Sequence, residues 1–139
     1  YYSQEFETFD FDKTIIQTVE STCELPIDKT RPVLAKFNFL RERIYQKVGT
    51  LSGGEKTRLS IALLMLQGYN LLILDEPTTY LDMESQKIIL EALKSYKGAM
   101  LFVSHTEAFV EGLSPSRIMI LPENKIKSWI PKDISNYSA

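Results

Sequence analysis

Apolar residues recur at two different periods along the chain, and the period changes near residue 50. Before that point, spacings of three and four residues predict two helices. The first is expected over residues 13–22, with Asp12 as its N-cap. The second is expected after Asp28, with Pro32 near its first turn. The apolar stripe of the second helix consists of Val33, Leu34, Phe37 and Leu40.

After residue 50, helices and short apolar runs alternate, a pattern typical of an α/β fold with a parallel sheet covered by helices. A helix is predicted from Ser52 to Gly68, because Ser52 suits the cap and Gly68 suits a left-handed stop. The runs at 71–74 and Ala99–Val103 predict strands buried on both faces, and Asp82 is expected to cap the helix between them. The remaining predicted elements are a short helix from about residue 106 and a hairpin with strands at 118–121 and 126–130 around a turn at 122–124.

The composition fits one soluble domain: 139 residues, 44% apolar, 24% charged, with a net charge of -2. No apolar run approaches the roughly 18 residues of a membrane span, and no signal peptide is evident. Cys23 is the single cysteine, which favours a reducing, cytoplasmic location. Because the first residue is Tyr1 and not Met, we expect the chain to be part of a longer protein.

Charge is distributed unevenly along the first 58 residues. Seven acids and Lys13 give -6 over residues 1–28, and eight Lys or Arg with Glu42 and Glu55 give +6 over residues 29–58. A basic stretch of this kind is either a solvated helix face or an electrostatic footprint for a phosphate-rich partner. The sequence leaves both interpretations open.

The stretch LSGGEKTRLS, residues 51–60, combines a capping box with a glycine pair. Ser52 and Glu55 have the spacing of an ordinary helix start. Gly53 and Gly54 would also let backbone N–H groups approach a phosphate, assisted by the helix dipole. Capping and anion binding use the same geometry, so the two roles are compatible, and the sequence leaves open whether this stretch serves one of them or both.

The stretch LLILDEPTTYLD, residues 71–82, places two acids at the carboxyl end of a predicted strand, where open parallel sheets bind ligands. Asp75 is suited to holding Mg²⁺ through its water shell, and Glu76 to activating the water that attacks a γ-phosphate. The alternative is that both acids only cap the turn that follows. His105, the only histidine, comes just after the next strand and would reach the same edge if the two strands are parallel.

Taken in this order, the three stretches resemble the ATP-binding cassette (ABC) ATPases. The fold implied is an ABC nucleotide-binding domain, a P-loop NTPase sheet with a helical subdomain. Several roles follow from the resemblance alone: Ser52, Gly53, Gly54 and Glu55 match the signature motif, Asp75 the end of the Walker B strand, Glu76 the catalytic glutamate, Asp82 the end of the D-loop, His105 the switch histidine, and Gln4 the Q-loop glutamine.

The resemblance also implies cofactors and partners. ATP and Mg²⁺ are expected, with Asp75 and Gln4 on the metal side, and a second cassette is expected to receive the signature at its γ-phosphate. The chain would be a partial domain, with residues 5–50 forming the helical subdomain and 51–139 the core. No Gly-x-x-x-x-Gly-Lys-Ser/Thr occurs, so the phosphate-binding loop (Walker A) is expected before Tyr1. The isolated chain is accordingly predicted to be inactive, and either to associate with itself or with a retained N-terminal piece or to be poorly folded.

Residues 53–58, GGEKTR, are similar to the ABC-F branch, soluble tandem cassettes that act on the ribosome. Transporter subunits and chromosome-maintenance or DNA-repair ATPases remain alternatives, although positions 4 and 52 are only 48 apart, too close for the long coiled coil of the latter. Thr79, Tyr80 and Thr106 depart from the ABC-F pattern. A non-hydrolysing interaction module is the alternative of a different class.

Overall fold

The computed structural model describes residues 9–120 and 125–128. Within them the order of elements confirms helices before residue 50 and an α/β alternation after it. These elements are α1 (Ile15–Thr22), α2 (Ile27–Lys36), two 3-10 helices (Arg41–Tyr45 and Val48–Thr50), α3 (Gly53–Leu66), β1 (Leu71–Asp75), α4 (Met83–Lys94), β2 (Ala99–Val103), α5 (Glu107–Leu113), β3 (Arg117–Ile120) and β4 (Lys125–Ser128).

The first helix begins two residues later than the sequence suggested, and its cap is Thr14 and not Asp12. The hydroxyl of Thr14 accepts the N–H of Gln17 at 3.3 Å, and the Gln17 side chain accepts the N–H of Thr14 at 2.9 Å. This reciprocal pair satisfies two of the N–H groups that a helix start leaves open. Asp12 instead donates its own N–H to the Asp10 carboxylate at 3.1 Å, so it belongs to the preceding turn.

The second helix corrects three further expectations. Its N-cap is Pro26, which makes no side-chain cap, so Asp28 lies within the first turn and does not cap the helix. Pro32 lies in the helix interior, where it removes the hydrogen bond that the carbonyl of Asp28 would otherwise accept. The helix ends at Lys36, and Leu40 lies beyond it with 49% of its surface exposed.

The two main strands are parallel and in register from Leu71 opposite Ala99 to Asp75 opposite Val103, with α4 as the crossover. One face of β1, Leu72 and Leu74, is buried in the common core. Each buried leucine contributes about 1.5–3 kcal/mol relative to an exposed one. Core partners on α4 are Ile89, Ala92 and Leu93.

The other face of the sheet is exposed, contrary to the prediction of strands buried on both faces. Leu71, Ile73, Leu101 and Val103 are 50%, 37%, 55% and 53% exposed. No other element among the described residues covers them. This apolar face is referred to below as the open sheet face.

The remaining elements are those predicted, with ends that differ by at most two residues. α3 is capped by Ser52, and Gly68 adopts φ +68° just after its end, the predicted left-handed stop. Asp82 caps α4, and β3 and β4 pair antiparallel as the predicted hairpin. Position 121 of the first predicted hairpin strand, the predicted turn at 122–124 and positions 129–130 of the second predicted strand lie outside the described residues. Within the described part of the chain, no helix is long and apolar enough to cross a membrane.

Candidate active site

The carboxyl end of β1 turns sharply at Glu76. The last residue of the strand, Asp75, pairs with Val103, and the N–H of Glu76 then donates to the Val103 carbonyl at 2.9 Å. Glu76 has φ +44°, a left-handed conformation that costs a residue with a Cβ roughly 1–3 kcal/mol. The turn is closed by the N–H of Thr79, which donates to the Glu76 carbonyl at 3.2 Å. Strained backbone held by its surroundings in this way is a common feature of functional sites.

Glu76 and His105 lie together at this edge of the sheet. His105 Nε2 is 3.4 Å from Glu76 Oε1, and the His105 backbone N–H is 3.4 Å from Glu76 Oε2. The imidazole is 94% exposed, whereas the Glu76 side chain is 24% exposed. The parallel register of the two strands accounts for this proximity, since both residues follow the carboxyl ends of neighbouring strands.

A third side chain, that of Thr79, contacts the same carboxylate. Its hydroxyl donates to Glu76 Oε2 at 3.1 Å. The neighbouring Thr78 is buried and its hydroxyl lies 3.4 Å from that of Thr106. In the sequence, Thr79 is distinguished only as a departure from the ABC-F pattern, and nothing there indicates that it faces Glu76.

Asp75 is exposed at the end of β1, beside Glu76 in the chain. Within residues 9–120 and 125–128, no group of three or more His, Cys, Asp or Glu could by itself hold a metal ion. Mg²⁺ commonly takes only one or two protein carboxylates, with water and substrate phosphates as its other ligands. One exposed carboxylate here fits that chemistry. Gln4, the other expected metal-side residue, lies outside the described residues.

The start of α3 has the predicted capping box. The Ser52 hydroxyl accepts the N–H of Glu55 at 3.3 Å, and Glu55 Oε2 accepts the N–H of Ser52 at 2.9 Å. The two glycines differ in their surroundings. A Cβ on Gly54 would lie 2.9 Å from Ser85 Oγ, whereas a Cβ on Gly53 would meet nothing within 4 Å. A side chain at position 54 would therefore crowd the start of α4, whereas position 53 has room for one.

Asp82, the N-cap of α4, lies next to the start of α3. Its Oδ1 accepts the Ser85 N–H at 2.8 Å, and this bond holds the pKa of the carboxyl below its ordinary value. The other carboxylate oxygen, Oδ2, is the atom that a Cβ on Gly54 would approach to 3.3 Å. The N-termini of α3 and α4 thus lie side by side.

Two arginines, which the sequence did not single out as site residues, hold Glu55. Arg43 bonds Glu55 Oε1, and Arg58 NH2 lies 3.8 Å from the same atom. Burial tends to raise the pKa of Glu55, but the Ser52 N–H and the Arg43 guanidinium outweigh it, so the pKa is lowered. The spacing of Glu55 and Arg58, three residues apart on one helix, was the available signal for part of this cluster.

Arg58 is a buried cation with several weak partners. Its side chain is 8% exposed, NH1 donates to the Phe37 carbonyl at 3.3 Å, and the guanidinium carbon lies 5.8 Å from the centre of the Phe39 ring. Burial is the main cause that lowers its pKa, and Glu55 is the first of the charges that oppose this shift. Arg58 therefore connects the α2 region to the first turn of α3.

Known proteins that match this chain are ATP-binding cassettes. The family model described as ABC transporter matches residues 1–79. ABC transporter F family member 2 of Arabidopsis thaliana is 41% identical over 113 residues, which are 80% of this chain and 17% of that protein. ATP-binding protein Uup of Escherichia coli K12 is 41% identical over 116 residues, 80% of this chain and 18% of that protein. The chain thus spans less than a fifth of the length of these two relatives.

The fold is also similar to that of a solved ABC transporter structure. A solved structure described as a metal-chelate type ABC transporter in an inward-facing conformation superposes with a TM-score of 0.68 and 22% identity, over 94% of this chain and 57% of that one. This likeness confirms the predicted α/β nucleotide-binding-domain fold. The chain therefore belongs to the ATP-binding cassette family and is similar to its ABC-F members.

Proposed function

We propose that this chain is the catalytic and signature-bearing part of an ATP-hydrolysing ABC-F-like cassette. The observation that carries the proposal is the Glu76 carboxylate, held by Thr79 and His105 at the carboxyl edge of a parallel sheet. The division near residue 50 into a helical subdomain and a core is part of the same proposal.

In this proposal Glu76 is the base of the reaction. It accepts a proton from water as the water oxygen bonds the γ-phosphorus and the bond to the ADP oxygen breaks. His105, which is exposed beside Glu76, would contact the γ-phosphate. Asp75 would hold Mg²⁺ through water, and Gln4 is proposed on the same side. When bound with ATP, Mg²⁺ neutralises charge on the β- and γ-phosphates.

The signature is proposed to act on a different nucleotide from the one that Glu76 hydrolyses. Ser52 and Gly53 are exposed at the start of α3, where a helix N-terminus favours an anion. Glu55 is turned inward onto Ser52 and the two arginines, so its role would be to fix the loop, and Asp82 would support the loop from α4. The expected ligand is the γ-phosphate bound to a second cassette.

The cellular role we propose is action on the ribosome, supported by the similarity to ABC-F proteins and by the basic stretch at 29–58. Several of its cations have partners within the chain: Arg43 and Arg58 contact Glu55, Lys36 contacts Ser95, and Lys47 contacts Asp12. Arg43 is thus less available to an external partner than a fully exposed cation would be. Arg41 and Lys47 remain exposed.

Charge reversal tests the ribosomal role in the complete protein. Arg41→Glu with Lys47→Glu should weaken ribosome binding and flatten its salt dependence by about one unit of slope per lost phosphate contact. Lys94→Glu, an exposed reversal on α4, is the matched control. Unchanged binding across a salt titration would contradict RNA docking through this stretch.

The hydrolytic role is tested by single-turnover ATP hydrolysis in the complete protein. Glu76→Gln should preserve ATP binding and slow hydrolysis by a factor on the order of a hundred or more, because water positioning and proton transfer are lost together. Glu91→Gln, an exposed change on α4, should leave the rate unaltered. Hydrolysis by the Glu76 variant at the wild-type rate would rule Glu76 out as the base. A wild-type protein that does not hydrolyse ATP would favour an interaction module.

A further inference from the structure

Thr79 forms two bonds to Glu76 from three residues along the chain. Its backbone N–H donates to the Glu76 carbonyl at 3.2 Å, and its hydroxyl donates to Glu76 Oε2 at 3.1 Å. The second bond reaches the carboxylate on which the proposed reaction depends. The segment 76–79 therefore closes on itself and fixes both the backbone and the side chain of Glu76.

The two oxygens of the carboxylate have different surroundings, and Oε2 also accepts the backbone N–H of His105 at 3.4 Å. Thr79 contacts Oε2, and the imidazole of His105 lies 3.4 Å from Oε1. The imidazole is almost fully exposed, whereas Thr79 is partly buried. A glutamate side chain has several rotatable bonds, and a donor fixed to the adjoining turn restricts the rotamers it samples.

Threonine suits this task because its branched Cβ restricts χ1. The hydroxyl is thereby aimed at the carboxylate before substrate binds, so less entropy is lost when the reacting geometry forms. A serine would keep the donor but not the restriction, and a valine would keep the shape but not the donor.

We propose that Thr79 is a positioning residue that orients the Glu76 carboxylate toward the attacking water. This inference rests on the proposed function, because it assigns Thr79 a role only through Glu76. It predicts that losing the hydroxyl affects turnover and not ATP affinity, since the contact is with the base.

The test is single-turnover and steady-state ATP hydrolysis by the complete protein. Thr79→Val should lower kcat about tenfold, the effect of losing one hydrogen bond to a charged group, with KM for ATP within about twofold of wild type. Thr79→Ser should retain at least about a third of the activity. Thr30→Val, which removes a buried hydroxyl bonded to the Ile27 carbonyl on α2, is the matched control and should leave kcat unchanged.

A double-mutant cycle separates positioning from a structural role. In the Glu76→Gln background, Thr79→Val should cause little further loss, because the carboxylate it positions has been removed. An equal tenfold loss in both backgrounds would overturn the inference. Thr79→Ala, which cannot overpack the turn, is the second variant and should follow the same pattern.

The outcomes also distinguish this inference from the proposed function. A Thr79→Val protein with wild-type kcat, alongside a slow Glu76→Gln protein, would refute the positioning role and leave Glu76 as the base. Wild-type turnover by Glu76→Gln itself would overturn the catalytic assignment, and the role of Thr79 would be refuted with it. A rise in KM at constant kcat would place Thr79 in nucleotide binding and contradict the inference.

Discussion

Replacing Glu55 by Gln removes one negative charge from the first turn of α3 while keeping a side chain of the same length. The amide oxygen of the new side chain still accepts the Ser52 N–H, so the capping box remains. Arg43 and Arg58 instead lose the negative charge that they contact. Arg43 is 41% exposed and is free to turn to water, whereas Arg58 is 8% exposed and keeps its charge buried.

The expected cost comes mainly from Arg58. At the observed 3.8 Å, two unit charges attract by about 4 kcal/mol at an effective dielectric constant of 20. Removing the carboxylate charge also removes the cost of its burial, and Asp82 and Glu84 still attract Arg58. We therefore expect a net loss of about 1–3 kcal/mol for Glu55→Gln. Arg43→Gln should cost at most about 1 kcal/mol, because a partly exposed pair is screened by solvent.

Amide hydrogen exchange measured by mass spectrometry reads this loss locally, even in a long protein. In the complete protein, exchange of residues 53–59 should be faster by roughly fivefold to a hundredfold or more in Glu55→Gln, and at most about fivefold faster in Arg43→Gln. Exchange in β1 should change little in either variant. Glu91→Gln on α4 is the matched control, because Glu91 is exposed and paired only at the surface with Lys94.

A larger effect from Arg43→Gln than from Glu55→Gln would contradict this reasoning, because it would mean that the exposed pair and not the buried cation stabilises the helix start. Equal exchange in wild type and Glu55→Gln would show that Phe37, Asp82 and Glu84 suffice for Arg58.

Three further outcomes follow from the structure. Because the folded-state pKa of Glu55 is lowered, the stability that its carboxylate contributes should be complete above about pH 5 and should be lost as the pH falls through the lowered pKa. Hydrogen exchange of residues 53–59 at graded pH would detect this loss, and an exchange profile that is flat with pH would contradict it. Ser52→Arg or Gly53→Asp should leave nucleotide affinity at the same cassette, measured by nucleotide titration, almost unchanged, yet should prevent closure on the second cassette, measured with distance labels. Loss of affinity with closure intact would contradict the role of the signature at the second nucleotide. The isolated 139-residue chain should show no ATPase activity and should self-associate through the open sheet face. Light scattering should therefore find less association in the Leu101→Lys chain than in wild type. A monodisperse wild-type monomer that binds Mg-ATP tightly would refute both expectations.

Local signals in the sequence were enough for most of the elements. Ser52, Asp82 and Gly68 are caps and stops whose residue types carry the geometry, and all three act as predicted. The wrong cap of α1 arose where neighbouring signals compete. Thr14 and Asp12 are both good caps, and only Thr14 has Gln17 at the spacing that completes a capping box.

The site was predictable to the extent that it follows from strand order. Glu76 and His105 meet because β1 and β2 are parallel neighbours, a pairing that the alternation of elements already indicated. The Thr79 bond depends instead on the left-handed backbone at Glu76, which no pattern for a non-glycine residue predicts. Burial of Arg58 against Phe37 likewise depends on tertiary packing between residues 21 positions apart.

The exposure of one sheet face illustrates a limit of pattern reading. A continuous apolar run such as residues 71–74 indicates that both faces are suited to burial, but not what covers them. Within the described residues, Leu72 and Leu74 are covered and Leu71 and Ile73 are not.

In the proposed function, one cassette serves two nucleotides, because it provides the base for its own nucleotide and the signature for the nucleotide of a second cassette. The most direct measurement is a structure of the complete Glu76→Gln protein bound to Mg-ATP. We expect two closed cassettes, with residue 76 facing the γ-phosphate of one nucleotide and Ser52 and Gly53 contacting the γ-phosphate of the other. A single nucleotide contacted by Ser52 and by residue 76 of the same cassette would contradict it.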